Sequence, residues 1–147
     1  QKDGTGIRTM NAKVELIDVA LKACSGNYRS GYALHILRSS FETILVATRC
    51  EFSNSRIGAR VQGGSLSSIK FNDCVFHDNS DDGINMSDNS TIHMHGVATA
   101  IHSNGDYGIY AWSSGKVFIH LPSHHNTTYN NGNGDRETGS GSTITNV

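Results

Sequence analysis

Helical periodicity is missing from this 147-residue chain. No stretch repeats apolar residues at three- and four-residue steps, which excludes bundles and the helical repeats of about 33 to 47 residues. Long apolar runs are missing too: nothing approaches the ~20 residues of a bilayer span, and the opening QKDGTGIRT does not resemble a signal peptide. Concentrated positive charge is also absent. Twelve Lys and Arg are scattered among 13 Asp and Glu, for a net charge of −1, too weak a field for phosphate backbones. Neither a membrane nor a nucleic acid is therefore expected as partner. The three cysteines, Cys24, Cys50 and Cys74, cannot all pair within one chain; they are expected as buried small hydrophobes and assign no compartment. Proline and tryptophan each occur once, as Pro122 and Trp112.

Glycine and asparagine are abundant, at 16 and 13 residues, and both favour turns and left-handed backbone. They are also in phase. Asn precedes Gly by four residues at Asn27/Gly31, Asn54/Gly58, Asn79/Gly83, Asn104/Gly108 and Asn130/Gly134, and Gly6 extends the series. A short alternating run follows each glycine (GIRT, GYAL, GARV, GINM, GIYA), the pattern of a half-buried strand. Second strands are read at VEL 14–16, ILV 44–46, IKF 69–71, IHM 92–94 and VFI 117–119, and third strands at CEF 50–52, CVF 74–76 and TAI 99–101. Three short strands in each ~25-residue turn describe a solenoid of parallel strands ~4.8 Å apart. A leucine-rich horseshoe has a similar period, but its leucine spacing is missing. The expected fold is all-β: one right-handed parallel β-helix domain over 1–147. Its five to six coils open near Gly6, Gly31, Gly58, Gly83, Gly108 and Gly134, and its asparagines stack as a ladder through αL turns.

On the phased Asn and Gly and the three strands per turn, residues 6–134 resemble the right-handed parallel β-helix family with the pectin-lyase-like fold. Many enzymes of that family act on polysaccharides from a parallel-sheet face, so the resemblance implies a glycan partner and a site on such a face. The catalytic segments do not carry over. The chain lacks the Gly-His-Gly and Arg-Ile-Lys segments of the polygalacturonases, the Asp-Pro-His-Asp of the alginate epimerases and the Arg-containing segment of the pectate lyases.

Several candidate site residues follow from the columns. Two residues beyond each glycine, Arg8, Ala33, Arg60, Asn85 and Tyr110 point outward. Two further on come Met10, Ile36 (or His35 if a kink intervenes), Gln62, Ser87 and Trp112. Arg60, Gln62, Asn85, Ser87, Tyr110 and Trp112 would form one patch, with Asp81, Asp82 and Asp106 at its edge and Arg56 below Asp81. Planar hydrogen-bonding groups beside aromatic faces suit sugar rings, whose C–H faces stack and whose hydroxyls need partners. The carboxylates admit a weak Ca2+ site and no other cofactor. An EF-hand is excluded, because Asn89 stands where its bidentate Glu belongs. Of the eight histidines, His77 and His102 are expected to stack, His93 and His95 point outward, and His120, His124 and His125 group near Pro122. No three-ligand spacing stands out, and no metal is assigned.

Three functions remain open at this level. The first is polysaccharide recognition by the outward face. The second is a lyase, epimerase or hydrolase on the same face, for which Asp82 with Asp106, or Arg60 with a His, would have to serve. The third is a structural or protein-interaction solenoid. Asp135 and Glu137 fall where earlier coils carry Ile and Ala, and no capping helix is read at either end. The chain is therefore expected to be part of a longer solenoid, or to have its ends covered by a partner or another copy.

Overall fold

The computed structural model describes residues 4–26, 30–122 and 124–147; Asn27 and Arg29 of the repeat reading lie outside them. Among the described residues seventeen strands wind into about five turns of a right-handed parallel β-helix. The first coil is β1 (Ile7–Thr9), β2 (Lys13–Ile17) and β3 (Ala20–Lys22), and the second β4 (Tyr32–Ile36), β5 (Thr43–Thr48) and β6 (Glu51–Ser53). The third is β7 (Ile57–Val61), β8 (Ser67–Asn72) and β9 (Val75–His77). The fourth is β10 (Ile84–Met86), β11 (Thr91–His95) and β12 (Ala100–His102). Then come β13 (Tyr107–Ala111), β14 (Lys116–Ile119) and β15 (Thr128–Tyr129), and finally β16 (Gly134–Thr138) and β17 (Thr143–Asn146). Equivalent strands stack into three parallel sheets: A, from β1 to β16; B, from β2 to β17; and C, from β3 to β15.

Alternation along each strand sends every second side chain into one continuous core. Leu34 and Ile36, Ala59 and Val61, Ile84 and Met86, and Ile109 and Ala111 enter from sheet A and are fully buried. Phe52 and Phe76 stack at 4.8 Å in successive coils of sheet C, and Phe71 of sheet B meets Phe76 edge-on at 4.9 Å. The three cysteines are free and buried. Burial pushes the Cys74 thiol up to about 12, so it is inert as a nucleophile.

The register revises the phase of the repeat at both ends. Ile7 pairs with Leu34 and Leu34 with Ala59, so Ala33, not Gly31, stands level with Gly6 and Gly58. At the far end Tyr107 pairs with Gly134, which puts Asp135 level with Gly108. The first shift is by two residues and preserves which side chains face inward; the second is by one and does not. Arg136 and Thr138, rather than Asp135 and Glu137, therefore stand opposite Ile109 and Ala111. The Arg136 guanidinium donates to Thr128 Oγ1 at 3.0 Å and to Asn146 Oδ1 at 2.8 Å.

The amides shift with the register. Asn79 Nδ2 donates to Asn104 Oδ1 at 2.9 Å, and Asn104 Nδ2 to Asn131 Oδ1 at 2.8 Å. Ser55 takes the equivalent position one coil earlier, its backbone N–H donating to Asn79 Oδ1 at 3.1 Å. Asn54 and Asn130 are thus not part of this run. They precede it by one residue and, with Asp78 and Ser103, hold the left-handed backbone that the repeat reading gave to the stacked asparagines themselves. The glycine column has a matching reason. A Cβ on Gly83 would lie 2.8 Å from Asn104 Nδ2, and one on Gly108 would lie 2.7 Å from Asn131 Nδ2. Each of these glycines makes room for the amide of the next coil.

Candidate functional site

Four coils of sheet A and the turns before them build a cleft of about 260 Å3. Tyr32, Arg56, Ile57, Arg60, Asp81, Asp82, Asn85, Asp106 and Tyr110 line it. The outward column is Arg8, His35, Arg60, Asn85, Tyr110 and Glu137, with His35 in the place expected for Ala33. One turn away, Arg56, Asp81, Asp106 and Asn133 stack through backbone hydrogen bonds.

The polar groups of the cleft are ordered by one another. Arg60 donates to Asn85 Oδ1, which turns the Asn85 Nδ2 toward Asp82 Oδ2. The other Asp82 oxygen accepts the Tyr107 backbone N–H at 3.0 Å. Burial raises the Asp82 carboxyl above the ordinary aspartate range; these two donors pull it back, and Asp106 and Asp81 add to the rise. Asp81 is held by Arg56 at 2.8 Å, and Asp106 accepts from Asn133 Nδ2. Each carboxylate thus has its own donor. Arg60 differs: among the described residues it makes no ion pair, and burial lowers its pKa. A half-buried guanidinium with donors to spare suits a ligand's hydroxyls or carboxylate.

The structure brings Arg60, Asn85, Tyr110, Asp81, Asp82 and Asp106 together in the cleft, and leaves Gln62, Ser87 and Trp112 out of its lining. Gln62 Oε1 accepts from His35 Nε2 at 3.1 Å; burial keeps His35 below the usual imidazole range, so the neutral ring carries its proton there. Ser87 corrects the expected patch. It is fully buried and its Oγ has no hydrogen-bond partner among the described residues, so it cannot meet a ligand. Trp112, 37% exposed, stands one coil beyond Ser87 in the same column. Asp82, at 4% exposure, belongs to the floor of the cleft rather than its edge, and Asn85, at 8%, lies there with it. Tyr32 and Ile57 are cleft residues that sequence reasoning missed. For Tyr32 the signal was the 27-residue gap between Gly31 and Gly58, which marks two extra residues without saying where the register absorbs them.

A larger groove of about 750 Å3 runs beside sheet C, lined by Arg49, Cys50, Glu51, Asp73, Val75, His77, Val97 and Ala98. Its main ionic groups are already matched: Arg49 with Asp18 at 2.7 Å, and Glu51 with Lys22 at 2.7 Å and His77 at 2.8 Å. The smaller cleft, whose Arg60 makes no ion pair among the described residues, is therefore the candidate site. Lys22, with Ser53 and His77, holds Glu51 down to about 2 against some desolvation. The unfolded Glu51 protonates at a higher pH than the folded one. Its contribution is therefore present above the ordinary glutamate range and is lost as pH falls toward about 2. Glu51→Gln should lower neutral-pH stability by about 1 kcal/mol, roughly 3 °C in Tm. Melting curves from pH 7 to pH 2 should show the gap closing in acid; a constant gap would rule the assignment out.

His77 and His102 stack at 5.3 Å, and Tyr129 continues the stack at 4.9 Å. His120 has partners across sheet B. It lies with His93 and His95, the three ligand nitrogens within 4.8 Å of one another. Comparison of the chain with family models, curated proteins and solved structures finds no match.

Proposed function

We propose that the chain is a carbohydrate-recognition solenoid of the pectin-lyase-like type, its amide run serving as that fold's asparagine ladder. The observation that carries this reading is the cleft in which two tyrosines flank Arg60, Asn85 and Asp106 on the outward side of a parallel sheet. Tyr110 offers a ring face for stacking; Arg60 and Asn85 offer donors, and Asp106 an acceptor, for hydroxyls. Trp112, just past the end of β13, extends the surface for a polymer rather than a single sugar. Parallel coils repeat such groups at ~4.8 Å intervals, close to the scale of a sugar ring.

The test is electrophoresis through gels containing alginate, pectate, xylan, chitosan or no polymer. Retardation by one polymer is expected. Arg60→Ala should weaken it at least tenfold, since hydrogen bonds to a charged group contribute ~1.5–3 kcal/mol. Trp112→Ala should weaken it less. Unchanged mobility in every gel would end the reading. An enzyme is the second reading, favoured by the raised carboxyl of Asp82 beside Asp106. New reducing ends or unsaturated products from the retained polymer, abolished in Asp82→Asn, would establish it.

A further inference from the structure

The outward face of sheet B carries a cluster that the cleft does not use. His93 and His95 alternate along β11 and so share one face. β11 pairs with β14 so that Met94 lies beside Ile119, which brings His120 beside His95 one coil on. The rings of His95 and His120 are parallel, 6° apart in plane, with centroids at 4.1 Å. His93 Nδ1 and His120 Nε2 share a hydrogen bond of 2.8 Å. Phe118, stacked at 5.2 Å, backs the His93 ring. We propose that His93, His95 and His120 form a three-imidazole site for a late first-row divalent cation such as Zn2+.

The donor set selects the ion. Three imidazoles without a carboxylate suit zinc, copper or nickel and not calcium or magnesium, and they leave a fourth position open. At Zn–N distances of about 2.0–2.1 Å, tetrahedral ligand nitrogens stand about 3.3 Å apart. The 2.8 Å pair therefore has to open slightly, and the 4.8 Å limit to contract by about 1.5 Å. Parallel rings do not aim their lone pairs at one point, so His95 or His120 turns about its Cβ–Cγ bond on binding. Whichever of His93 and His120 donates the shared hydrogen bond moves that proton to its other ring nitrogen; the metal takes the freed lone pair. Lys70, level with His93 on β8, opposes the cation. It should set affinity without being a ligand.

The test is titration of the chelator-treated full chain with ZnCl2, read by calorimetry and melting, and with CoCl2, read by visible absorption. One Zn2+ per chain is expected, raising Tm by about 5 °C or more at a hundredfold excess over Kd, with a tetrahedral Co2+ spectrum. His93→Asn and His120→Asn should each weaken binding at least tenfold with unchanged far-ultraviolet circular dichroism. Lys70→Gln should tighten it several-fold, a gain that no folding defect can imitate. His77→Asn/His102→Asn should bind as the parent does. No heat and no Tm shift with Zn2+, Ni2+ or Cu2+ would overturn the site. So would binding that survives His93→Asn/His120→Asn.

Discussion

Asn104→Ala is expected to cost about 3–5 kcal/mol of folding stability, roughly 10 °C or more in Tm. The side chain is 2% exposed and makes four hydrogen bonds. Its Oδ1 accepts from the backbone N–H and the Nδ2 of Asn79; its own Nδ2 donates to Phe76 O and Asn131 Oδ1. Alanine removes all of these at once. It strands the buried Asn79 N–H, whose acceptor is gone, and one hydrogen of the Asn79 amide; a stranded buried donor costs about 1–3 kcal/mol. Asn104→Ser should recover part of the loss. In the equivalent position Ser55 Oγ accepts the Cys24 N–H at 3.1 Å, so a hydroxyl can replace the acceptor though not both donors. Urea unfolding of the parent and the two variants decides the matter, and a loss below about 1 kcal/mol for alanine would mean that the amide run does not hold the coils together.

Gly83→Ala should cost about 2–4 kcal/mol for the opposite reason, too many atoms instead of too few. Its Cβ would stand 2.6 Å from Ile101 Cγ2, 2.8 Å from Asn104 Nδ2 and 2.8 Å from Gly108 O. None of the three can retreat easily. Ile101 is fully buried, Asn104 is fixed by its four bonds, and Gly108 belongs to the paired strand β13. Ala33 occupies the same column naturally, and its neighbour one coil on is Ser55, shorter than asparagine. The comparison predicts coupling: Gly83→Ala should cost about 0.5–1 kcal/mol less in an Asn104→Ser background. Additive losses would mean that the glycine answers only to Ile101 and the backbone.

Much of this architecture is legible in the residues because the core is written in alternation. Ile84 and Met86, or Ile92 and Met94, reveal their inward face without any knowledge of a neighbour. Register is harder, since it depends on where a turn takes up extra residues. A slip of two at Gly31 left the faces intact and hid Tyr32 from the cleft, while a slip of one at Gly134 exchanged Arg136 for Asp135. Burial on the outward face is harder still. Ser87 has the position of a contact residue, yet its neighbours in the column are Gln62 and Trp112, and it is closed off from solvent. The histidine cluster was within reach. The same 25-residue step that pairs His77 with His102 carries His95 to His120, but His93 joins them only through the diagonal that a folded sheet supplies.

Sugar recognition by the sheet A cleft is the proposal with most at stake. Its most direct test is a 15N–1H spectrum of the chain titrated with tetrasaccharides of alginate, pectate, xylan and chitosan. One of them should shift amides of β4, β7, β10 and β13 together with the Arg60 side chain, and Arg60→Ala should abolish those shifts while the rest of the spectrum stays in place. Shifts confined to sheets B or C, or none with any of the four sugars, would contradict it.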